Sequence, residues 1–476
     1  MRHQLWAYAC AVVTLFLATP KPSVTAAETG AAERPNIVFI MADDLGYGHL
    51  GCYGQTTIRT PRLNALAESG VRFTDCYAGC CVCAPSRSVL MTGLHGGHTP
   101  VRGNTGGIAL ADDDVTVAEV LKAAGYATGL FGKWGLGEYE TTGVPYRQGF
   151  DEFFGYLHQI HAHFYYPPYL WHGEQRYELP GNAHGGRGQY THDEIVAKAL
   201  DFVRRHREEP FFLYVPFAVP HYELLLPEES QRPYAGQFPE APYTGRSGRP
   251  PGYPSDYGAQ AMPRAATAGV ITHMDRSVGR LLDLLDELEL ADNTIVFFTS
   301  DNGATPGPSD PDFFEACGPL RGTKMTLYEG GLRVPMIVRW PGRIAAGRVS
   351  DHAWTFADVL PTLAELAGAN VPDGMDGHSV ATELCADGGE SEQAEHDYLY
   401  WEYDGGRAVR AGDWKLIRSA DGALELYDLA NDVGERCNLA EQQRDEAARL
   451  GAYLDEAHVE PPPQIEPAPI NARRFR

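Results

Sequence analysis

Residues 36–44 read NIVFIMADD, an unbroken apolar run that stops at two aspartates, Asp43 and Asp44. Continuous Ile/Val/Phe, as opposed to alternation with polar residues, is the pattern of a strand covered on both faces. The same pattern recurs in YATGLFGK (Tyr126–Lys133), PFFLYVPFAVPH (Pro210–His221) and TIVFFTSDNG (Thr294–Gly303). Helical periodicity separates these runs, over Val115–Ala124 and, at greatest length, over Ala265–Leu290. Strands alternating with helices predict an α/β fold: a large, doubly wound, mostly parallel mixed sheet flanked by helices. In such sheets ligands bind outside the carboxyl ends of the strands. Here those ends carry Asp43 and Asp44, Lys133, His221, and Asp301 with Asn302.

The pattern changes near residue 395. YLYWEYDGGRAVRAGDWKLIRSADGALELYDL has short alternating strands with Gly-containing turns, and ERCNLAEQQRDEAARLGAYLDEA reads as a helix. The expected organisation is a catalytic α/β domain over 34–390 and a small C-terminal α+β subdomain with an antiparallel sheet over 395–460. A Pro-rich tail over 461–476 follows. Residues 227–257 are rich in Pro and Gly and predict a long surface loop. At the other end, Arg2 and His3 precede an apolar stretch with small residues near Ala26 and Ala27. That pattern predicts a signal peptide over 1–27, hence export to a periplasm or the exterior, with no membrane span after its removal.

The chain has 476 residues and a net charge of −24. That balance speaks against nucleic acid as a partner and requires any anion site to be local. Nine cysteines are present, eight of them beyond the leader. Export makes some disulfide pairing an expectation, with the pairing itself unreadable. Asp43, Asp44, Asp301 and Asn302 are hard oxygen donors suited to Ca²⁺ or Mg²⁺ rather than to a thiolate metal.

The segment CCVCAPSRSVLMTG (Cys80–Gly93) is too crowded for a zinc site, which wants spaced pairs. Pro85 suits the first turn of a helix. Cys83 then lies at a helix N-terminus, where negative charge is favoured, with Arg87 one turn on. CAPSRSVLMTG resembles the Cys-x-Pro-Ser-Arg-x-x-x-x-Thr-Gly signature of the type I sulfatases, in the alkaline-phosphatase-like fold. NIVFIMADDLGYG, GKWGLG at Lys133, the Pro-His pair at His221, TSDNG at Asp301 and LRGTKMTLYEGGLRVPMIVRWPG at Lys324 add to it, in order, as does ELYDL.

The resemblance implies a sulfuric ester hydrolase. It implies that a separate maturation enzyme oxidises Cys83 to Cα-formylglycine, whose hydrate attacks sulfur and then releases sulfate. It implies one Ca²⁺ held by Asp43, Asp44, Asp301 and Asn302 with the residue at Cys83. Arg87 is implied beside the formylglycine, Lys133 and Lys324 on sulfate oxygens, and His221 as acid for the leaving alcohol.

One position departs. Sequences of this kind usually read GKWHLG, and here Gly135 takes the place of a histidine that is a candidate base. GYLHQIHAHFYYPPYLW supplies His158, His161 and His163; in an extended segment His161 and His163 would share a face. His163 is the preferred replacement, with sugar binding as the other use of this loop. The expected substrate is a sulfated saccharide, attacked from its end, of galactose or N-acetylgalactosamine type. A phosphoesterase of the same superfamily and a catalytically silent sulfated-glycan binder remain as alternatives.

Overall fold

The central strand Asn36–Ala42 is buried along its whole length, and its two faces enter two different cores. Ile37, Phe39 and Met41 pack into one, and Val38, Ile40 and Ala42 into the other. This is why the run carries no polar residue: successive side chains point to opposite faces, and both faces are covered. The structure is a computed structural model that describes residues 34–106, 108–221, 223–245, 258–386 and 393–461. The expected leader and all but the first residue of the Pro-rich tail lie outside the described residues.

Ten strands form the large sheet. Their order is Arg348–Ser350, Val71–Phe73, Met336–Arg339, Thr294–Ser300, Asn36–Ala42, Phe211–Pro216, Ala127–Lys133, Glu152–Tyr156, Tyr169–His172 and Gln175–Glu178. The five from Thr294–Ser300 to Glu152–Tyr156 run parallel. Antiparallel neighbours flank them on both sides. Helices Cys83–Thr92, Val117–Ala123 and Val359–Ala367 cover one face. Helices Pro61–Glu68, Thr191–Arg205 and Pro263–Glu287 cover the other. Each large apolar side chain placed between these layers contributes about 1.5–3 kcal/mol. The fold class is the one that the strand runs predict.

The C-terminal part holds a four-stranded antiparallel sheet, Leu399–Tyr403, Gly406–Ala411, Trp414–Arg418 and Leu424–Asp428. Its alternation is divided between two partners. Trp401, Ala408, Ile417 and Tyr427 pack against Tyr77, Cys80, Cys81 and Leu332. Tyr400, Val409, Leu416 and Leu426 pack against Leu450 and Leu454 of helix Arg444–Glu456.

Three local expectations need correction. The last helix starts at Arg444, not Glu435, because side chains capture the preceding backbone. Asp432 Oδ2 accepts from the N–H groups of Arg436 and Cys437, and Asn438 Oδ1 from those of Leu426 and Ala440. Such bonds compete with the helical ladder. The His161–His163 segment is a turn of 3₁₀-helix and not extended, so the two imidazoles part company. Finally, Cys52, Cys76, Cys80, Cys81, Cys83, Cys317 and Cys437 carry no disulfide. Cys80 and Cys81 are core side chains under the C-terminal sheet, behaving as small apolar groups. Among the described residues no helix is long and apolar enough to cross a membrane.

Candidate active site

The five parallel strands end on one side, and the backbone there is tied together before any side chain enters. Asp301 donates its N–H to Ala42 O (3.1 Å), and Asp43 donates to Val219 O (3.0 Å). Asp44 donates its N–H to Asp301 Oδ1 (3.0 Å). Asp44 has φ +66°, the left-handed region that a short polar side chain tolerates and a β-branched one does not. The turn swings its carboxylate into the space between the strand ends.

Cys83 opens the buried helix Cys83–Thr92. Pro85 lies in its first turn, where a missing N–H is not needed. Asn104 Oδ1 accepts from Ala84 N–H (3.0 Å), so a distant side chain serves one of the free N–H groups. Gly79 admits this helix: a Cβ there would lie 2.3 Å from Val89 Cβ. Gly93 ends it at φ +69°.

The predicted side chains converge. Cys83 Sγ is 3.4 Å from Asp43 Oδ1 and 3.1 Å from Lys324 Nζ. Arg87, one turn along, donates to Asp301 Oδ2 from Nε (3.0 Å) and Nη2 (2.7 Å), and from Nη1 to the Lys133 carbonyl (2.7 Å). Lys133 Nζ lies 2.8 Å from Asp43 Oδ2, and Lys324 Nζ contacts both oxygens of Asp44 at 2.7 and 2.8 Å. His221 Nε2 is 3.3 Å from Asp44 Oδ2. His163 stacks on His221, with ring centroids 4.0 Å apart and planes at 17°. His161 instead turns into the core against Tyr156 and Tyr169. All of this lies at the strand ends, and every one of these residues except His163 is buried.

Three carboxylates face three cations here, so the cluster is close to neutral by itself. Burial alone would strip the Lys324 ammonium of its proton, but Asp44 above all holds it charged, well above the ordinary lysine range. Cys83 goes the other way from the helix-terminus expectation. Burial pushes its thiol far up, Asp301 adds to this, and Lys133 and Lys324 only partly offset it. An unmodified Cys83 is therefore a protonated thiol and a weak nucleophile.

Asp43, Asp44, Cys83 and Asp301 present ligand atoms close enough together to hold one metal ion. Asn302 fits the same group. Its Nδ2 donates to Asp44 Oδ1 (2.7 Å), while its buried Oδ1 has no hydrogen-bond partner among the described residues. A buried orphan acceptor beside three carboxylates is the environment a hard divalent cation satisfies. Such an ion would turn a near-neutral cluster net positive, as an anionic ester requires.

Two features are not visible in the motifs. Glu329, which opens the short helix Glu329–Leu332 five residues after Lys324, meets Lys415 of the C-terminal sheet at 2.8 Å, and Lys415 also meets Glu435 at 2.9 Å. Burial would raise the Glu329 carboxyl, but Lys415 and Arg333 override it and hold it near 2. The C-terminal sheet thus braces the Lys324 loop. Gln159 is the second feature: it is buried beside Gly135, and no motif marks it.

Comparison with known proteins fits this geometry. The sulfatase family profile matches residues 35–369, and a profile for the C-terminal region of N-sulphoglucosamine sulphohydrolase matches residues 323–458. The chain is 34% identical to human arylsulfatase A over 87% of this chain and 85% of that one. It is 30% identical to N-acetylgalactosamine-6-O-sulfatase of Bacteroides thetaiotaomicron over 89% and 93%. A solved structure of Ps i-CgsB in complex with k-i-k-neocarrahexaose superposes with a TM-score of 0.72 at 26% identity, covering 89% of this chain and 92% of that one. This chain belongs to the sulfatase family of the alkaline-phosphatase superfamily, and it is a sulfuric ester hydrolase.

Proposed function

We propose that this sulfatase removes sulfate from the end of a saccharide, of galactose or N-acetylgalactosamine type, after maturation of Cys83 to formylglycine and with one Ca²⁺ bound. The observation that carries the catalytic part is the place of Cys83, buried at the start of its helix with Sγ 3.4 Å from Asp43 Oδ1 and 3.1 Å from Lys324 Nζ. As a thiol it is inert, yet everything around it is arranged for an anion and a cation. Bound calcium would stabilise negative charge, and a hydrated formylglycine would supply the attacking hydroxyl.

The chain's own residues do the rest. Lys133 and Lys324 neutralise the sulfate oxygens. Arg87, clamped by Asp301, holds its guanidinium against the nucleophile's position. His221 stands where it can donate a proton to the leaving oxygen. With Gly135 unable to act as a base, that role falls to His163, which stacks on His221.

The sugar reading rests on two supports. The relatives named above include an N-acetylgalactosamine-6-O-sulfatase and a protein solved with a carrahexaose. A cavity of about 280 Å³ is lined by Tyr139, Tyr169 and Trp171, with Glu138, Glu174 and Arg176. Aromatic side chains with a few polar groups suit a pyranose, although Tyr139 stacks on Trp171 and Arg176 lies over Tyr169. A saccharide of this kind implies work outside the cytoplasm, in line with the leader pattern of residues 1–27. Mass spectrometry of the Cys83 peptide from active protein should show the loss of mass that conversion to formylglycine brings. An unmodified thiol in fully active protein would defeat the formylglycine mechanism, and an unmodified thiol in protein without activity would favour the silent glycan binder. A panel of sulfated monosaccharides and aryl sulfates tests the substrate, and turnover of the aryl esters alone would refute the sugar assignment.

His163→Ala should allow release of the alcohol but slow release of sulfate, giving a burst followed by a slow steady state. A change confined to KM would reassign His163 to sugar recognition, and unchanged kinetics would remove it from both roles.

A further inference from the structure

Gly135 leaves a hole, and Gln159 fills it. Gly135 has φ +84°, and a Cβ built there would lie 2.9 Å from Gln159 Oε1 and 3.9 Å from Arg87 Cδ. Any side chain at 135 would therefore be strained and would collide with the Gln159 amide. Gln159 itself is 2% exposed, and neither its Oε1 nor its Nε2 has a hydrogen-bond partner among the described residues. Burying a primary amide with all its bonds unmade is costly, so water or a ligand has to supply the missing bonds.

The backbone around Gln159 is fixed, which is how a binding group is held. His158 Nδ1 accepts from Ile160 N–H (3.0 Å), bridging over Gln159. That leaves the imidazole proton on Nε2, 2.6 Å from Glu138 Oε1. His158 O accepts from Ala162 N–H (3.2 Å), and Leu157 O accepts from Gly135 N–H (3.0 Å). The His158 ring is itself closely packed: a Cβ on Gly106 would lie 2.7 Å from it. The backbone that carries Gln159 is thus held in place, with the amide oxygen against the position of a Gly135 Cβ that is itself 3.9 Å from Arg87 Cδ.

We propose that Gln159 is a substrate-binding residue whose amide N–H donates to an oxygen of the bound sulfate. A hydrogen bond to an anion is the stronger kind, and an amide does not titrate, so the contact is independent of pH. Gln159 cannot itself take a proton at neutral pH, which leaves base catalysis to an imidazole. The inference rests on the sulfatase activity and not on the sugar assignment.

The test uses the matured enzyme with a chromogenic aryl sulfate, with wild-type turnover in the same assay checking the activity itself. Gln159→Leu keeps the volume and removes the amide. Inhibition by inorganic sulfate should weaken about tenfold, and kcat/KM should fall roughly 10- to 100-fold, with the pH profile unchanged. The melting temperature should hold or rise, since an unsatisfied buried amide has been removed. Gln159→Asn, one methylene short, should recover part of the sulfate affinity. Unaltered inhibition by sulfate in Gln159→Leu overturns the proposal, whatever happens to stability, because a side chain that only held a buried water would behave that way.

Discussion

Cys83→Ala abolishes turnover, by about 10⁴-fold or more, while the protein still folds. The size of the effect follows from what is lost. Covalent catalysis divides one hard displacement into two easier ones, and among the described residues no other thiol or hydroxyl is hydrogen-bonded to the side chain of Asp43 or Lys324. The fold should survive because Cys83 makes no disulfide, and its replacement deletes a single buried sulfur, at a cost of about 1 kcal/mol. Cys83→Ser separates this mechanism from a simple hydroxyl nucleophile. A serine hydroxyl in that position can accept sulfate but has no second hydroxyl with which to expel it. Its signature is at most one equivalent of alcohol released per enzyme, followed by arrest. Sustained multiple turnover by Cys83→Ser would end the formylglycine mechanism and reopen the phosphoesterase reading. The melting temperature of each variant, beside that of the wild type, shows that a loss of rate is a loss of chemistry.

How far the sequence led depended on where the information lay. The strand Asn36–Ala42 was legible because both its faces are covered, so its composition had no freedom to vary. Asp43, Asp44, Asp301 and Asn302 were legible as a group because a topological rule places carboxyl ends of parallel strands together. The pairing of Lys133 with Asp43, and of Lys324 with Asp44, needed coordinates: the partners are separated by 90 and 280 residues. The Lys415–Glu329–Glu435 network had no sequence signal, since isolated charges read as solvated surface. In the loop after Glu152–Tyr156 the spacing argument for His161 and His163 holds only for an extended segment, and the segment is a 3₁₀ turn. In fact His161 serves the core while His163 turns to His221. Gln159 was passed over for the opposite reason. Its chemistry is bland, and only burial without a partner makes it conspicuous.

Asp301→Asn should be the most damaging change that leaves the nucleophile in place. Asp301 is fully buried and performs three tasks at once. Its Oδ2 accepts two hydrogen bonds from Arg87, its Oδ1 accepts the Asp44 N–H, and its carboxylate belongs to the candidate metal group. An amide in its place presents one acceptor and two donors, so either Arg87 or the metal loses its partner. Removing one member of a buried ion pair costs about 3–5 kcal/mol because the other charge is left uncompensated. The divalent cation is then more weakly held in a cluster that has lost a negative charge. The expected results are a fall in kcat/KM of roughly 10³-fold, loss of stoichiometric calcium from the purified protein, and a lower melting temperature. Calcium itself supplies the control. At a hundred times its dissociation constant, a ligand of the folded state adds about 2.7 kcal/mol. Wild-type protein stripped by a chelator should therefore melt several degrees lower and recover on adding Ca²⁺, whereas Asp301→Asn should respond little to either treatment. Lys133→Met provides the contrast: it removes a cation that opposes the metal, so calcium should still be bound while turnover is lost. Stoichiometric zinc in the active wild-type enzyme, or a full calcium response in Asp301→Asn, would show that these oxygens are arranged for something other than the cation proposed.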